Sequence, residues 1–307
     1  MLKKTNLKNY LQRFIEYFDL AKIKYVILKD TIWYEYQKSI IPLGPAKYDY
    51  SLSADEVTSL LKKFSKSFLI RSTNGFSDSE ELGSTEWYAV IKDKHLDINL
   101  LDSYEGRKKV RRGLQNCKVE RVDAEFIANN AYKIFISAYS RYKGISVPKI
   151  TNQEFAKQYI QRKSFDDIFN YWGVFSNDKL IGYSENLIYD MVEVNYSTMK
   201  FNPEHFNLYP SYALVYTMDK YYLDTCKYGY VNDGYRSILH NTNIQEFLIK
   251  NLNFKKKYTK LNIHYKKVLS LALSTIFPIL PLRNHLIKIS PRLNALFILE
   301  EIRRKCT

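Results

Sequence analysis

Residues 229–254, GYVNDGYRSILHNTNIQEFLIKNLNF, decide the fold that we expect for this chain. Residues 235–239 alternate apolar and polar side chains, which predicts a short strand. Asn241 or Thr242 can cap a following helix, and Asn253 lies where helices commonly end in a left-handed residue. The apolar positions of this helix recur at helical spacing, namely Ile244, Phe247, Leu248 and Leu252. The stretch therefore predicts a strand, a tight loop and a helix in that order.

Upstream, residues 171–183, YWGVFSNDKLIGY, form the clearest hairpin signal in the sequence. Two apolar runs flank a polar turn at residues 176–179, as is typical of antiparallel strands. A third strand is predicted at residues 191–199, and a substantially buried helix at residues 210–228. Together with the first stretch, these elements predict the order β-β-β-α-β-α.

A second informative region begins at residue 97. The pattern predicts a strand, then a helix, then a short strand at residues 117–122 and a long helix from Asp123. The first of these helices contains five basic residues, which are Arg107, Lys108, Lys109, Arg111 and Arg112. The basic side chains of such a helix either bind phosphate groups or form a basic face that is exposed to solvent.

This succession resembles the GNAT superfamily of acyltransferases, in its FemAB- and BioF2-like branch. The resemblance covers roughly residues 97–265, through the RKKVRR helix and the GVFSNDKLIGY hairpin. It implies an α/β (α+β) fold with a central mixed, mostly antiparallel sheet flanked by helices. We assign residues 1–96 to an N-terminal α/β lobe, 97–265 to the GNAT-like domain, and 266–307 to a basic helical tail.

The resemblance also implies an acyl donor that ends in phosphates, with acyl-CoA (acetyl-CoA) as the expected donor. Arginine side chains bind phosphate oxygens bidentately, so we assign Arg111 and Arg112 to donor binding. The start of the predicted last helix, at Asn241, Thr242 and Asn243, is the second expected donor site because a helix N-terminus attracts anions. The same polar residues can alternatively serve only as helix caps.

One segment departs from the family pattern. Most GNAT enzymes carry a glycine-rich pyrophosphate loop after the fourth strand, whereas residues 199–214, MKFNPEHFNLYPSYAL, contain no glycine. Glycines let backbone N–H groups approach phosphate closely. An aminoacyl-tRNA donor, or a scaffold without catalysis, therefore stays open beside acyl-CoA.

Acyl transfer needs a base for the nucleophile and donors for the oxyanion. His240 directly follows the predicted strand and Asp233 lies close before it, so both are candidate bases. Tyr235 is a candidate acid for the leaving group. With no credible nucleophile and base pair in the sequence, direct attack within a ternary complex is the expected mechanism.

Charge is concentrated at the end of the chain. The formal net charge is +15, and residues 255–307 contain twelve Lys or Arg against Glu300 and Glu301, a net of 12 − 2 = +10. Such a segment favours an anionic membrane surface or nucleic acid as partner, tRNA being the less favoured. Residues 268–282 are apolar but too short to span a bilayer. They predict either an interfacial anchor or a helix pair packed on the domain.

Cysteine and histidine positions exclude two classes of site. Three cysteines without a CxxC pair argue against a disulfide framework, and the five histidines show no ligand spacing, so we expect no metal. The first twenty residues lack the apolar run of a signal peptide. We therefore expect a cytoplasmic protein, with peripheral attachment to the inner face of the membrane as an option.

Residues 1–96 carry weaker signals. Strands are predicted at residues 25–29 and 32–41, and Ser53 with Glu56 forms a capping box. Residues 87–92 and 95–100 are predicted to pair as a hairpin.

The resemblance implies an acyltransferase that moves an acyl or aminoacyl group to an amine or hydroxyl of a cell-envelope or surface-glycan precursor. The basic and apolar tail favours a lipid-linked acceptor. The alternative is a non-catalytic nucleic-acid-binding or membrane-surface adaptor on a degenerate transferase scaffold. The absent glycine loop and the net charge support that alternative.

Overall fold

Two β-sheets, five and seven strands wide, organise the computed structural model. The structure describes residues 9–77, 87–139, 148–238 and 243–306, apart from the side chains of residues 291, 292 and 306. The strands are β1 (Tyr25–Leu28), β2 (Thr31–Tyr36), β3 (Ser39–Leu43), β4 (Leu69–Thr73), β5 (Tyr88–Lys92), β6 (Lys118–Val122), β7 (Phe169–Ser176), β8 (Lys179–Tyr189), β9 (Glu193–Phe201), β10 (Tyr230–Tyr235), β11 (Lys255–Tyr258) and β12 (Leu261–Tyr265).

The α-helices flank these sheets. They are α1 (Asn9–Leu20), α2 (Ala54–Lys63), α3 (Tyr104–Asn116), α4 (Ala124–Asn130), α5 (Tyr132–Tyr139), α6 (Asn152–Ile160), α7 (Pro210–Asp219), α8 (Ile244–Leu252), α9 (Lys267–Ile276), α10 (Leu280–Ile289) and α11 (Pro291–Cys306). Short 3₁₀ turns lie at Ile98–Leu100 and Pro203–Leu208, and a π turn at Lys220–Thr225 continues α7. The predicted capping box of α2 is confirmed, since Ser53 and Glu56 bond each other's backbone N–H groups.

The two halves of the chain repeat one arrangement. In the first, β1, β2 and β3 form an antiparallel meander, and α2 leads to β4, which runs parallel to β3. In the second, β7, β8 and β9 form the meander, and α7 leads to β10, which runs parallel to β9. The second half confirms the predicted β-β-β-α-β-α order.

Each half then gives a strand to the other sheet. β5 follows β4 in sequence but lies between β10 and β11 in the seven-stranded sheet. β12 returns to pair with β4 in the five-stranded sheet. The two sheets are therefore linked by reciprocal strand exchange, and the boundaries proposed at residues 96/97 and 265/266 stay predictions.

Several local predictions are wrong. Residues 87–92 and 95–100 do not pair, because β5 has both edges occupied by β10 and β11, and the chain leaves the sheet through the turn at Ile98–Leu100. The strand predicted at residues 235–239 lies earlier in the chain and ends at Tyr235. Its buried residues are Tyr230 and Val231, which lie between neighbouring strands. The strand predicted at residues 32–41 is interrupted by a turn with Gln37 and Lys38 at positive φ.

The predicted helices also differ in extent. The long helix after Asp123 is broken between α4 and α5 at Ala131, and the helix predicted at residues 210–228 is α-helical only to Asp219. Predictions for α3, β6 and α8 are confirmed in type and place. Asn253 has φ of 59° at the end of α8, as predicted, and the next residue, Phe254, is buried against the core.

Apolar side chains cover both faces of the seven-stranded sheet. On one face, α3, α7 and α8 pack over β7–β10 through residues such as Val110, Leu214 and Leu248. On the other face, α1, α4, α5 and α6 pack through Phe14, Ile127 and Phe155, and this core extends to the first sheet. This packing on both faces holds the strand ends of the seven-stranded sheet in place and so positions the candidate site.

Candidate functional site

The central feature is a break in pairing between β9 and β10. The two strands pair in parallel over three positions, from Glu193 with Tyr230 to Asn195 with Asn232. β9 then continues to Phe201 beside β8, and β10 continues to Tyr235 beside β5. We call the space between residues 196–201 and 233–235 the β9–β10 cleft. Among the described residues, no strand pairs with β9 on the cleft side. A strand edge of this kind can bind an extended ligand through its backbone groups.

A bulge in β10 shapes one wall of the cleft. The register of β10 against β5 shifts between Asn232 and Tyr235. Gly234, in the bulge, has φ of +92°, a conformation that glycine adopts without strain. The Asn232 side chain accepts a hydrogen bond from the Gly234 N–H at 2.8 Å and so holds the bulge in place.

Below the cleft, a buried carboxylate joins the two strands to the first lobe. Glu193 accepts hydrogen bonds from the backbone N–H of Ala46 at 2.6 Å, from Asn232 Nδ2 at 2.9 Å, and from the Tyr230 hydroxyl. Burial raises the pKa of Glu193, although these hydrogen bonds act in the opposite direction. The network fixes the parallel pair to the loop that follows β3.

A second buried polar group lies on the face of the sheet that α7 covers. Lys92 Nζ is 2.9 Å from Asp219 Oδ2, and the Tyr196 hydroxyl donates to Asp219 Oδ1 at 2.9 Å. All three side chains are almost completely buried. Burial raises the pKa of Asp219, while Lys92 and Tyr196 lower it. β5, β9 and α7 are thereby joined at the base of the cleft.

Asp233 is the titratable group at the mouth of the cleft. It is partly buried in β10, directly after the last parallel pair. Burial raises the pKa of Asp233 to about 8, and a hydrogen bond with Gln245 acts in the opposite direction. The negative charge of Asp233 also contributes to the raised pKa of Tyr196, after burial and the charge of Asp219. A carboxyl group with this pKa changes protonation near neutral pH, as an acid–base catalyst requires.

Tyr235 has a different environment. Its hydroxyl lies 2.9 Å from Thr73 Oγ1 and donates to the carbonyl of Ala46 at 3.4 Å, and its ring stacks on Trp87. The structure therefore places the Tyr235 hydroxyl in the contact between the two sheets, which favours a structural role. Its assignment as an acid stays a prediction.

The expected donor residues near α8 are only partly described. His240, Asn241 and Thr242 lie outside the described residues, so their assignments stay predictions. Asn243 precedes α8, and its side chain makes no capping hydrogen bond in the described part of the chain. Gln245, two residues later, donates to the carbonyl of Tyr235 at 3.1 Å and joins the start of α8 to the end of β10.

The two arginines assigned to the donor lie on the exposed side of α3 and have separate contacts. Arg111 donates to the Asn99 side chain at 2.6 Å. Arg112 lies 4.9 Å above the centre of the Tyr209 ring and donates to the Tyr209 hydroxyl at 3.3 Å. Because Tyr209 immediately precedes α7, Arg112 lies at the helix start where GNAT donors are expected to place phosphates.

That helix start is covered. Pro210 has no N–H group, and the N–H groups of Tyr212 and Ala213 already bond the carbonyl of Tyr209, at 3.1 and 3.3 Å. Gly113 of α3 packs so closely that an added Cβ would lie 2.7 Å from the Tyr209 carbonyl oxygen. The segment without glycines therefore leads into a helix whose start has Pro210 and the close packing of α3, both of which limit the N–H groups that a phosphate can reach.

Sequence reasoning missed Lys92, Tyr196, Asp219 and Glu193. Lys92 is the last residue of a predicted strand, and Asp219 lies in a helix predicted from its apolar residues. The available signal was a charged residue inside an apolar run, since charged side chains are rarely buried without a partner. Lys92 meets Asp219 only because β5 enters the second sheet.

Two searches of the described residues were negative. They contain no group of three or more His, Cys, Asp or Glu side chains arranged to hold a metal ion. None of the described helices combines the length and apolarity needed to cross a bilayer.

Comparisons with known proteins show the fold. No protein-family model matches the chain, and no curated protein matches its sequence. The crystal structure of FemX superposes with a TM-score of 0.53 at 11% identity, over 88% of this chain and 96% of FemX. The C-terminal domain of a putative lysylphosphatidylglycerol synthetase from Agrobacterium fabrum gives a TM-score of 0.51 at 11% identity, over 85% of this chain and 90% of that domain. The chain therefore shares the α/β, GNAT-like fold of FemX, and the predicted fold class is confirmed.

Proposed function

We propose that this chain, with its GNAT-like fold, is an acyltransferase that moves an acyl or aminoacyl group from an activated carrier to an amine or hydroxyl. The observation that carries the proposal is the cleft where β9 and β10 stop pairing, with Asp233 at its mouth. An extended carrier arm can add to the free edge of β9 by backbone hydrogen bonds. Its carbonyl carbon would then lie beside Asp233.

The chemical step is direct transfer. The Asp233 carboxylate accepts the proton of the attacking amine or hydroxyl, and the new C–N or C–O bond forms at the donor carbonyl. Backbone N–H groups on the cleft edge of β9 stabilise the oxyanion. The bond to the carrier breaks as the intermediate collapses, and the departing thiolate or alkoxide takes the proton from Asp233.

The donor that the fold supports first is acyl-CoA. Because the start of α7 is covered, the phosphates of the carrier would contact Arg112, and Arg111 beyond it, rather than helix N–H groups. The same covered helix start favours a second donor class, an aminoacyl ester of tRNA, which does not need a pyrophosphate cradle. Asn241, Thr242 and Asn243 remain proposed donor contacts, and His240 a second candidate base.

For the acceptor, we propose an amine or hydroxyl of a cell-envelope or surface-glycan precursor. A net charge of +10 in residues 255–307 supports an anionic, lipid-linked acceptor. The competing proposal is a non-catalytic adaptor for nucleic acid or a membrane surface, and the covered helix start also supports it.

A ligand titration tests these proposals directly. The full chain is melted with acetyl-CoA, longer acyl-CoAs, free CoA and deacylated tRNA. A ligand at about 100 times its Kd adds about 2.7 kcal/mol to stability, which raises the melting temperature measurably. At the same ligand concentration the Arg112→Gln variant should keep only about half of the shift, because a roughly tenfold weaker Kd leaves about 1.4 kcal/mol. Lys227→Gln, an exposed lysine paired with Asp224, should keep the full shift.

The outcomes separate the donors. A shift with CoA species alone supports the acyl-CoA donor, and a shift with tRNA alone supports the aminoacyl donor. If Asp233→Asn abolishes turnover with the identified donor but leaves its melting shift intact, the transfer mechanism is supported. If a ligand binds but no amine or hydroxyl acceptor is converted, the result would favour the proposal of a non-catalytic adaptor.

A further inference from the structure

A cluster of exposed apolar side chains lies on α9, α10 and the turn between them. Six of the sixteen large hydrophobic residues exposed in the described chain fall within residues 268–289. These six form what we call the α9–α10 apolar surface: Val268, Leu271, Ile279, Leu280, Leu282 and Ile289. Val268 is 83% exposed and Leu271 69%, which is unusual for neighbours on one helix face.

The opposite side of the same region is anchored to the protein. Leu273 of α9 is 4% exposed, and Leu299 and Ile302 of α11 pack with Leu261 and Ile263 of β12. The inner side of the tail therefore packs on the domain, as one of the two predictions for the tail stated, while the interfacial anchor stays a prediction. An anchored helix presents its outer residues as a fixed surface.

The charge around this surface points to its partner. Residues 247–299 contain no Asp or Glu, and Lys267 and Lys288 are exposed at either end of α9 and α10. Two copies of this chain meeting here would bring basic segments together, which is unfavourable. An anionic phospholipid bilayer supplies both the apolar phase for the six side chains and negative headgroups for the lysines.

The polar residues of α9 are compatible with partial burial in lipid. The Ser274 hydroxyl donates to the carbonyl of Leu271 at 2.8 Å, and the Thr275 hydroxyl to that of Ala272 at 2.9 Å. Because these hydroxyls already bond within the helix, their transfer out of water costs less. α9 has ten residues, about 15 Å of helix, against a hydrocarbon core of about 30 Å, so it can lie in the interface but not cross it.

We propose that the α9–α10 apolar surface docks this protein on an anionic phospholipid membrane, with α9 and α10 in the plane of the interface. Val268, Leu271 and Ile289 enter the boundary between headgroups and acyl chains. Lys267 and Lys288 contact the headgroups. The docking itself needs no acyl donor.

Vesicle flotation of the full chain tests the proposal. Vesicles of phosphatidylcholine alone are compared with vesicles containing about 30% phosphatidylglycerol. The wild-type chain should float with the anionic vesicles and not with the neutral ones. Val268→Ser/Leu271→Ser should weaken that binding at least about tenfold, because two apolar side chains lose their transfer energy. Lys267→Gln/Lys288→Gln should weaken it roughly tenfold and remove most of its salt dependence.

A matched control uses exposed apolar residues elsewhere, with Leu20→Ser/Ile160→Ser expected to bind as the wild type. Circular dichroism melts verify that each variant is folded. Equal binding by the control and the α9–α10 variants would overturn the proposal. So would a dimer, detected by light scattering, that Leu271→Ser converts to a monomer, since the surface would then be an interface between copies.

Discussion

Tyr196 and Asp233 occupy matching positions, because each is the first residue of its strand after the last parallel pair, Asn195 with Asn232. The Tyr196 hydroxyl donates a hydrogen bond to the buried Asp219, whereas Asp233 lies at the mouth of the cleft and bonds with Gln245. The base of the cleft is therefore fixed by a buried ion pair, and its opening carries a group that titrates near neutral pH.

Asp233→Asn should lower kcat/KM by about 100-fold or more, because an amide cannot accept the acceptor's proton. Since the pKa of Asp233 is about 8, the wild-type rate should rise with pH through that value as the carboxylate forms. The measurement is initial velocity against pH with the donor found by titration. Asp224→Asn, a surface change beside Lys227, is the control and should keep the wild-type profile. An unchanged rate in Asp233→Asn would transfer the role of base to His240.

The same carboxyl group should affect stability in a defined pH window. Its folded pKa of about 8 lies above the usual aspartate value of about 3.9, so folding favours the protonated form. That contribution is fully present below about pH 4 and is lost as pH rises through about 8. Asp233→Asn should therefore gain stability relative to the wild type between pH 5 and 9, as measured by urea denaturation across that range. A difference that stays constant with pH would contradict the raised pKa.

The buried pair between Lys92 and Asp219 should show strong coupling. Lys92→Met leaves the Asp219 carboxylate buried without its cation and should cost about 3–5 kcal/mol of unfolding free energy. Lys92→Met/Asp219→Leu should cost clearly less than the sum of the two single changes. Lys118→Met, which removes an exposed pair with Glu120, should leave stability nearly unchanged. Additive losses in urea denaturation would show that the pair is not coupled.

Arg112 and Arg111 should contribute unequally to donor binding. Arg112→Gln removes the charge beside Tyr209 and should raise the KM for the donor roughly tenfold, with little change in kcat. Arg111→Gln should have a smaller effect, because Arg111 is bonded to Asn99 on the adjoining turn. Steady-state kinetics with the donor varied distinguish the two variants. Equal and negligible effects would indicate that α3 is a solvated basic face.

The sequence by itself determined most of the local structure in the second half. The hairpin of β7 and β8, the caps of α2 and α6, and the left-handed end of α8 at Asn253 follow from turn residues, capping residues and apolar spacing. These signals act between residues close in sequence, so they can be read without knowing the fold. The resemblance to FemAB-like proteins also led to the right fold class, and Asp233 was selected as a candidate base.

Only the tertiary structure decided where β5 and β12 pair, and with them the composition of the site. Lys92 belongs to β5, and it reaches Asp219 only because β5 enters the sheet of the other half. Strand exchange joins residues far apart in sequence, and its energy comes from pairing and burial that no local pattern encodes. The same holds for the pKa of Asp233, because burial by neighbouring elements, rather than the residue type, raises it.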